Sequence, residues 1–302
     1  MKKTAVIFFA SICLLCTLGF QEESRFRIAV DAVNVLVTVL DENGRFVTNL
    51  EKEDFIVYED GKVQEIEQFS QETDQPLRIG LLIDTSASVK MRLDFEKMAA
   101  TNFMRAIMRY RDEAMLVEFD KGVSMLHDFT NRPTEIINEI ENLRAGGGTA
   151  LLDAIFQVSQ EKMSEKRLRQ TIVIISDGDD LHSSRNLEEA VNMAQLAETS
   201  IYAIGTNEMG ASRSKNGIKI LRRLTEETGG RAFFPVSDLE MEEAFDQIEK
   251  ELRSQYSLTY TPRNKTRDGK FRDLEVRVAK GKNRPQNLTI RHKKGYYAAQ
   301  PL

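Results

Sequence analysis

The sequence predicts a doubly wound α/β fold, a mostly parallel sheet covered by helices on both faces, with a small flanking β domain built from N- and C-terminal strands. Three observations carry this. Short, almost wholly apolar runs at 78–83, 114–119, 171–175, 201–204 and 232–235 read as strands buried on both faces. Amphipathic stretches separate them, and such alternation builds parallel sheets through crossover helices. On either side of this block apolar and polar residues instead alternate with a period of two, the pattern of antiparallel sheet with one wet face.

Taken in order, the chain opens with Lys2-Lys3 and an apolar run at 5–18, the n- and h-regions of a secretory signal, with a small residue at Gly19. Residues 1–19 are therefore expected to be a leader. The run falls short of the ~20 apolar residues of a membrane span, so the expected product is exported, periplasmic or extracellular, with no stable span after cleavage. The alternative is an uncleaved anchor in the inner membrane. Both cysteines, Cys13 and Cys16, lie inside this segment. A mature chain would then hold no thiol, and neither a disulfide nor a zinc–thiolate site.

Residues 20–75 read as β. Val33, Val35, Val37 and Val39 alternate with Asn34, Leu36, Thr38 and Leu40, and residues 41–44 supply a turn. Runs at 55–59 and 62–66 flank Asp60-Gly61, a strong hairpin signal. A polar stretch ending at Pro76 marks a boundary, and 76–254 holds the α/β block. Its first helix is expected to bury Phe95, Met98, Ala99, Phe103, Ala106, Ile107 and Tyr110. Its last, at 239–254, is expected to bury Met241, Ala244, Phe245, Ile248 and Leu252. A short extended piece is expected at 123–129. Residues 255–302 return to β, with alternation at 256–260 and 274–278, a turn at 267–270, and closing strands at 288–291 and 295–297 that predict a meander. Neither flank can bury a core alone, so the two are expected to combine into one sandwich around the inserted α/β block.

With 302 residues, 41% hydrophobic and 29% charged, the composition is that of an ordinary globular protein. The net charge of -5 at pH 7 provides no electrostatic footprint for nucleic acid.

Three polar clusters follow strand or loop ends. Asp84, Ser86 and Ser88 stand at alternate positions directly after the run 79–83, where a carboxylate and two hydroxyls can aim hard oxygens at one point. Alone, such a string arises by accident in roughly one chain in ten or twenty of this length. Gly146-Gly147-Gly148-Thr149 and Ser176-Asp177-Gly178 supply the context, since open α/β sheets bind ligands beyond the carboxyl ends of their strands. Hard oxygens suit Mg²⁺, with Mn²⁺ or Ca²⁺ as alternatives.

Together these residues resemble the von Willebrand factor type A domain and its metal-ion-dependent adhesion site, over residues 77–254. The resemblance implies that Ser86 and Ser88 coordinate the ion directly, Thr149 directly or through water, and Asp84 and Asp177 mainly through water. The flanking stretches Asp54-Phe55-x-Val57-x-Glu59-Asp60-Gly61 and Arg291-x-x-x-Gly295-Tyr296 are similar to the exported bacterial VWFA-related family named from Acidobacteria. The function this resemblance implies is that of a non-enzymatic module that binds a protein partner, whose Asp or Glu completes the metal's shell. An envelope scaffold is the alternative, ahead of a Mg²⁺-dependent hydrolase, for which no G-x-S-x-G elbow, Walker loop or H-E-x-x-H helix is present. Asp179 and Asp180 read as solvated loop charges, His182 as an exposed loop residue, Asp153 as a helix N-terminal charge, and the basic stretch 162–169 as a loop.

Overall fold

The computed structural model describes residues 32–71, 75–163, 169–206, 214–279 and 287–299. The expected leader with its two cysteines lies outside the described residues, as does most of the basic stretch 162–169. The N-terminal part contributes β1 (Val33–Leu40), β2 (Phe55–Glu59), β3 (Lys62–Gln64) and β4 (Ile66–Gln71). The α/β block opens with β5 (Leu77–Asp84), α1 (Leu93–Ile107), β6 (Glu113–Phe119), β7 (Val123–Thr130), α2 (Pro133–Asn142) and α3 (Leu151–Glu161). It continues through β8 (Arg169–Ser176), α4 (Leu187–Leu196), β9 (Ser200–Gly205), α5 (Lys215–Thr228), β10 (Ala232–Phe233) and α6 (Asp238–Leu252). The chain closes with β11 (Tyr256–Tyr260), β12 (Phe271–Val278), β13 (Thr289–Arg291) and β14 (Gly295–Tyr297).

The central sheet runs β10-β9-β8-β5-β6-β7, parallel except for the antiparallel edge strand β7. Its strands are apolar on both faces because helices cover both. Leu77, Ile79, Leu81 and Ile83 of β5 pack with α1, α2 and α6, while Leu82 packs on the opposite side with α3, α4 and α5. The chain passes outward from β5 through β6 on one side and begins again at β8 on the other. The strand order therefore reverses between β5 and β8, and the loops leaving those two strands open into one crevice.

The face foreseen for α6 is the one the fold buries, with Met241, Ala244, Phe245, Ile248 and Leu252 all in the core. The face foreseen for α1 is corrected. Met98 and Ala106 are exposed, Tyr110 lies beyond the helix end at 88% exposure, and the buried stripe is Leu93, Glu96, Ala99, Ala100, Phe103, Met104 and Ile107. The competing stripes share Ala99, Phe103 and Ile107. A helix whose neighbouring faces both carry apolar residues is oriented by what it packs against, here β5 and α6, through contacts such as Phe103 on Phe245 at 4.7 Å between rings.

The flanking strands form two four-stranded sheets, β13-β1-β11-β4 and β14-β12-β2-β3, each drawing on both ends of the chain. The expected closing meander is thereby corrected, because β11 and β12 lie in different sheets. A meander in one sheet would leave an apolar face in water. Splitting the strands instead sets Val35, Val37, Leu258 and Tyr260 of one sheet against Phe55, Val57, Leu274 and Val276 of the other in one core. The Asp60-Gly61 hairpin forms between β2 and β3, with φ of 48° and 73° at the two turn residues, the doubly positive turn that matches strand twist.

Buried polar contacts join this sandwich to the α/β block. Glu251 near the end of α6 accepts from Thr38 Oγ1 of β1 at 3.1 Å and from Arg291 Nη2 of β13 at 2.8 Å. Gln255 Nε2 donates to Thr38 Oγ1 and to Tyr202 Oη, each at 3.2 Å. Among the described residues no helix is long and apolar enough to cross a membrane.

Candidate functional site

The pairing of Ile83 with Ile175 sets the ends of β5 and β8 side by side. Asp84 is fully buried there. Its Oδ2 accepts from Ser176 Oγ at 2.7 Å and its Oδ1 from the Ser86 amide at 2.9 Å. Burial pushes its carboxyl up to about 6, against the pull of the Ser176 and Ser86 hydrogen bonds. The loop then turns through a 3₁₀ segment, Ala87–Val89, which brings the Ser86 and Ser88 hydroxyls within 2.9 Å of each other. Ser88 Oγ donates in turn to Asp177 Oδ2 at 2.9 Å, across 89 residues of sequence.

The glycine loop closes the third side. Gly146 N donates to Thr85 O at 2.7 Å, and Ala87 N donates to Gly147 O at 3.3 Å. Gly147 has φ +84°, a conformation strained for residues with a Cβ, and a Cβ there would also meet the Asp120 carboxylate at 2.3 Å, so the position favours glycine. Thr149 is buried, and its backbone is held from the β8–α4 loop. Its carbonyl accepts from the Leu181 and His182 amides at 3.1 and 2.9 Å, and its amide donates to His182 Nδ1 at 3.3 Å. All three clusters read from the sequence thus meet at the carboxyl ends of β5 and β8. Ser86, Ser88 and Asp177 form one hydrogen-bonded chain, Asp84 braces it from below, and Thr149 joins through its loop.

The surrounding acids do more than the sequence suggested. Asp180 is half-buried rather than a solvated loop charge, for its Oδ1 accepts from the Leu151 amide at 3.0 Å and from Ser183 Oγ at 2.7 Å, and burial raises its pKa. It satisfies an amide at the start of α3. Asp153, foreseen as a helix N-terminal charge, also accepts from the Ser184 and Arg185 amides and so pins the β8–α4 loop. His182 is exposed, as foreseen, yet tied to Thr149.

Glu96 does not stand out in the sequence as a residue of this site. It is fully buried on α1 beneath the cluster, and neither carboxylate oxygen completes a hydrogen bond. Burial pushes its pKa up to about 8. The nearby Thr206 hydroxyl and Arg92 pull it down, while Asp84 and Asp177 push it further up. A signal does exist, since a carboxylate at 96 interrupts the apolar stripe 93, 100, 103, 107, but only the correct helix face makes it visible.

The donors are few in charge and rich in hydroxyl. Among the described residues no three His, Cys, Asp or Glu side chains are arranged to hold a metal, so a cation at this point would rely on serine and threonine oxygens and on water. Such a set suits a hard divalent ion that keeps several waters, and it does not suit zinc or copper.

An α/β sheet with oxygen donors gathered at its switch point defines a class of ligand-binding domain. Residues 79–179 match the family model of the von Willebrand factor type A domain, and the chain carries such a domain. A von Willebrand factor type A protein from Catenulispora acidiphila is similar in structure, with 11% identity, a TM-score of 0.51, and coverage of 88% of this chain and 74% of its own. Proximal thread matrix protein 1 from the mussel byssus matches at 16% identity with a TM-score of 0.51, over 61% of this chain and 50% of its own. The vWF domain of the type V pili tip protein Mfa5 from Porphyromonas gingivalis matches at 14% identity with a TM-score of 0.48, over 58% of this chain and 94% of its own. At these identities the likeness is one of fold. No curated protein matches the sequence.

Proposed function

We propose that this protein is an exported, non-enzymatic binding module that holds Mg²⁺ through Ser86, Ser88 and Thr149, with Asp84 and Asp177 acting mainly through water, and captures an Asp or Glu of a partner protein. The observation that carries this reading is the continuous chain Ser86–Ser88–Asp177, three hard oxygens from two loops converging at the switch point. Neutral hydroxyls leave a bound dication strongly electrophilic, so an incoming carboxylate is a better ligand than an amide or a thiol. Mn²⁺ or Ca²⁺ would serve by the same chemistry. Asp84, buried and braced by Ser176, would orient water and offset charge from beneath.

His182, one of the two candidate general bases beside the site, is engaged with the Thr149 amide, which favours binding over hydrolysis. Export rests on Lys2-Lys3 and the apolar run after them, and the flanking motifs fit the exported bacterial VWFA-related family.

Asp84→Ala tests the metal reading. Calorimetric titration with Mg²⁺ and Mn²⁺ should show affinity reduced about ten- to a hundredfold, the usual effect of removing an outer partner of a metal site. Undiminished affinity in this variant would place the ion elsewhere.

A further inference from the structure

The face that carries the candidate metal site also carries apolar side chains that the fold does not use. Met91 is 82% exposed and Leu181 is 80% exposed, more than any other exposed large hydrophobic among the described residues except Tyr110. Met91 follows Ser88 by three residues, in the loop that leads into α1. Leu181 follows Asp177 by four, and its amide is bonded to Thr149 O. Because α1 packs on one face of the central sheet and α4 on the other, the two loops diverge from neighbouring strands to opposite sides. The hydrogen-bonded chain Ser86–Ser88–Asp177 links these two loops. Val236 and Leu239, at 65% and 66% exposure, follow β10 at the same end of the sheet.

We infer that Met91 and Leu181 are the specificity-determining shoulders of this site, and that they select a protein loop in which the metal-binding Asp or Glu is flanked by a large apolar side chain. The inference rests on the metal-dependent reading proposed above and adds the chemistry of the occupant. A carboxylate alone would be a poor discriminator, since acidic residues cover most protein surfaces. A dication between two apolar shoulders rejects an acidic residue in a polar surround, because the shoulders would stay wet while the carboxylate lost its own water. It favours an acidic residue whose apolar neighbours cover Met91 and Leu181 as the carboxylate reaches the ion. Such an arrangement, an anchoring polar contact ringed by groups that exclude water, is the anatomy of an interface hot spot.

The test is selection from a library of random heptapeptides on the whole protein in Mg²⁺, with elution by EDTA. The eluted sequences should carry Asp or Glu with Leu, Met, Ile or Phe within two positions. The selected peptide should bind the Met91→Ser/Leu181→Ser variant about tenfold or more weakly, the loss expected when one apolar side chain is no longer buried. The variant's Mg²⁺ affinity, read by calorimetry, should be unchanged. Tyr110→Ser is the control, since Tyr110 lies beyond the far end of α1, roughly 20 Å away by helix length, and should leave binding intact. Acidic peptides without apolar enrichment, or equal binding by the double variant, would overturn the inference while leaving the metal reading standing. Equal losses in the double variant and the Tyr110→Ser control would overturn it as non-specific adhesion. Failure of EDTA to elute any peptide, together with no calorimetric Mg²⁺ binding, would remove the metal reading and the inference with it.

Discussion

Glu96 places a carboxyl group in the interior of the α/β block, beneath the gathered loops, with burial holding its pKa near 8. In the unfolded chain the same group ionises near its ordinary 4.5. Between those values the folded state keeps a proton that the unfolded state has released, so stability falls as pH rises from about 4.5 to about 8 and levels off above. Asp84, raised from 3.8 to about 6, adds a smaller total loss of the same sign over a narrower interval. Glu96→Gln keeps the shape and removes the ionisation. In EDTA, urea denaturation at pH 5 and pH 8 should show the variant losing a few kcal/mol less than the wild type across that interval, and more stable than wild type at pH 8. An equal loss in both proteins would mean that Glu96 ionises freely in the fold.

At the scale of elements, single acids join strands from distant parts of the chain. Glu59 of β2 accepts at Oε2 from Tyr260 of β11 at 2.7 Å and from Tyr296 of β14 at 2.8 Å, so one carboxylate ties the two sheets of the sandwich together. Burial and the Glu59 carboxylate hold both phenols well above their ordinary range, and both remain donors. Glu59→Leu would strand two phenols in or near the core at a cost of about 1–3 kcal/mol each, whereas Glu59→Gln keeps an acceptor and should cost about 1 kcal/mol. Because the chain has no tryptophan, far-ultraviolet circular dichroism in urea is the suitable probe. Equal stability of the two variants would show that the shared acceptor is unimportant. Asp112 plays the matching part below α1, where it pairs with the buried Arg253 and accepts from the Leu77 amide at 2.8 Å.

At the scale of the molecule, the N-terminal strands have few partners of their own. β1 is bordered by β11 and β13, and β2 by β12 and β3, so the N-terminal sheet edges are closed by residues more than 200 positions away. Deleting residues 256–302 should therefore expose the amides of 33–71 to rapid hydrogen exchange while the central parallel sheet stays protected. Retained protection at 33–40 in the truncated chain would show that the N-terminal strands fold alone.

Much of this architecture was legible in the sequence because its causes are local. The apolar runs of β5, β6, β8 and β9 announce strands buried on both faces, and Asp60-Gly61 forms its turn whatever surrounds it, for the backbone conformation is set by those two residues. Asp84, Ser86, Ser88, Thr149 and Asp177 stood out for the same reason, each placed by the end of a readable strand or glycine loop. Tertiary structure alone decided three things. It chose which stripe of α1 faces inward and so buried Glu96; it turned Asp180 from a loop charge into a cap on α3; and it dealt β11 and β12 into different sheets. Each depends on a partner far away in the chain, and periodicity reports how a segment is shaped for burial without reporting what will bury it.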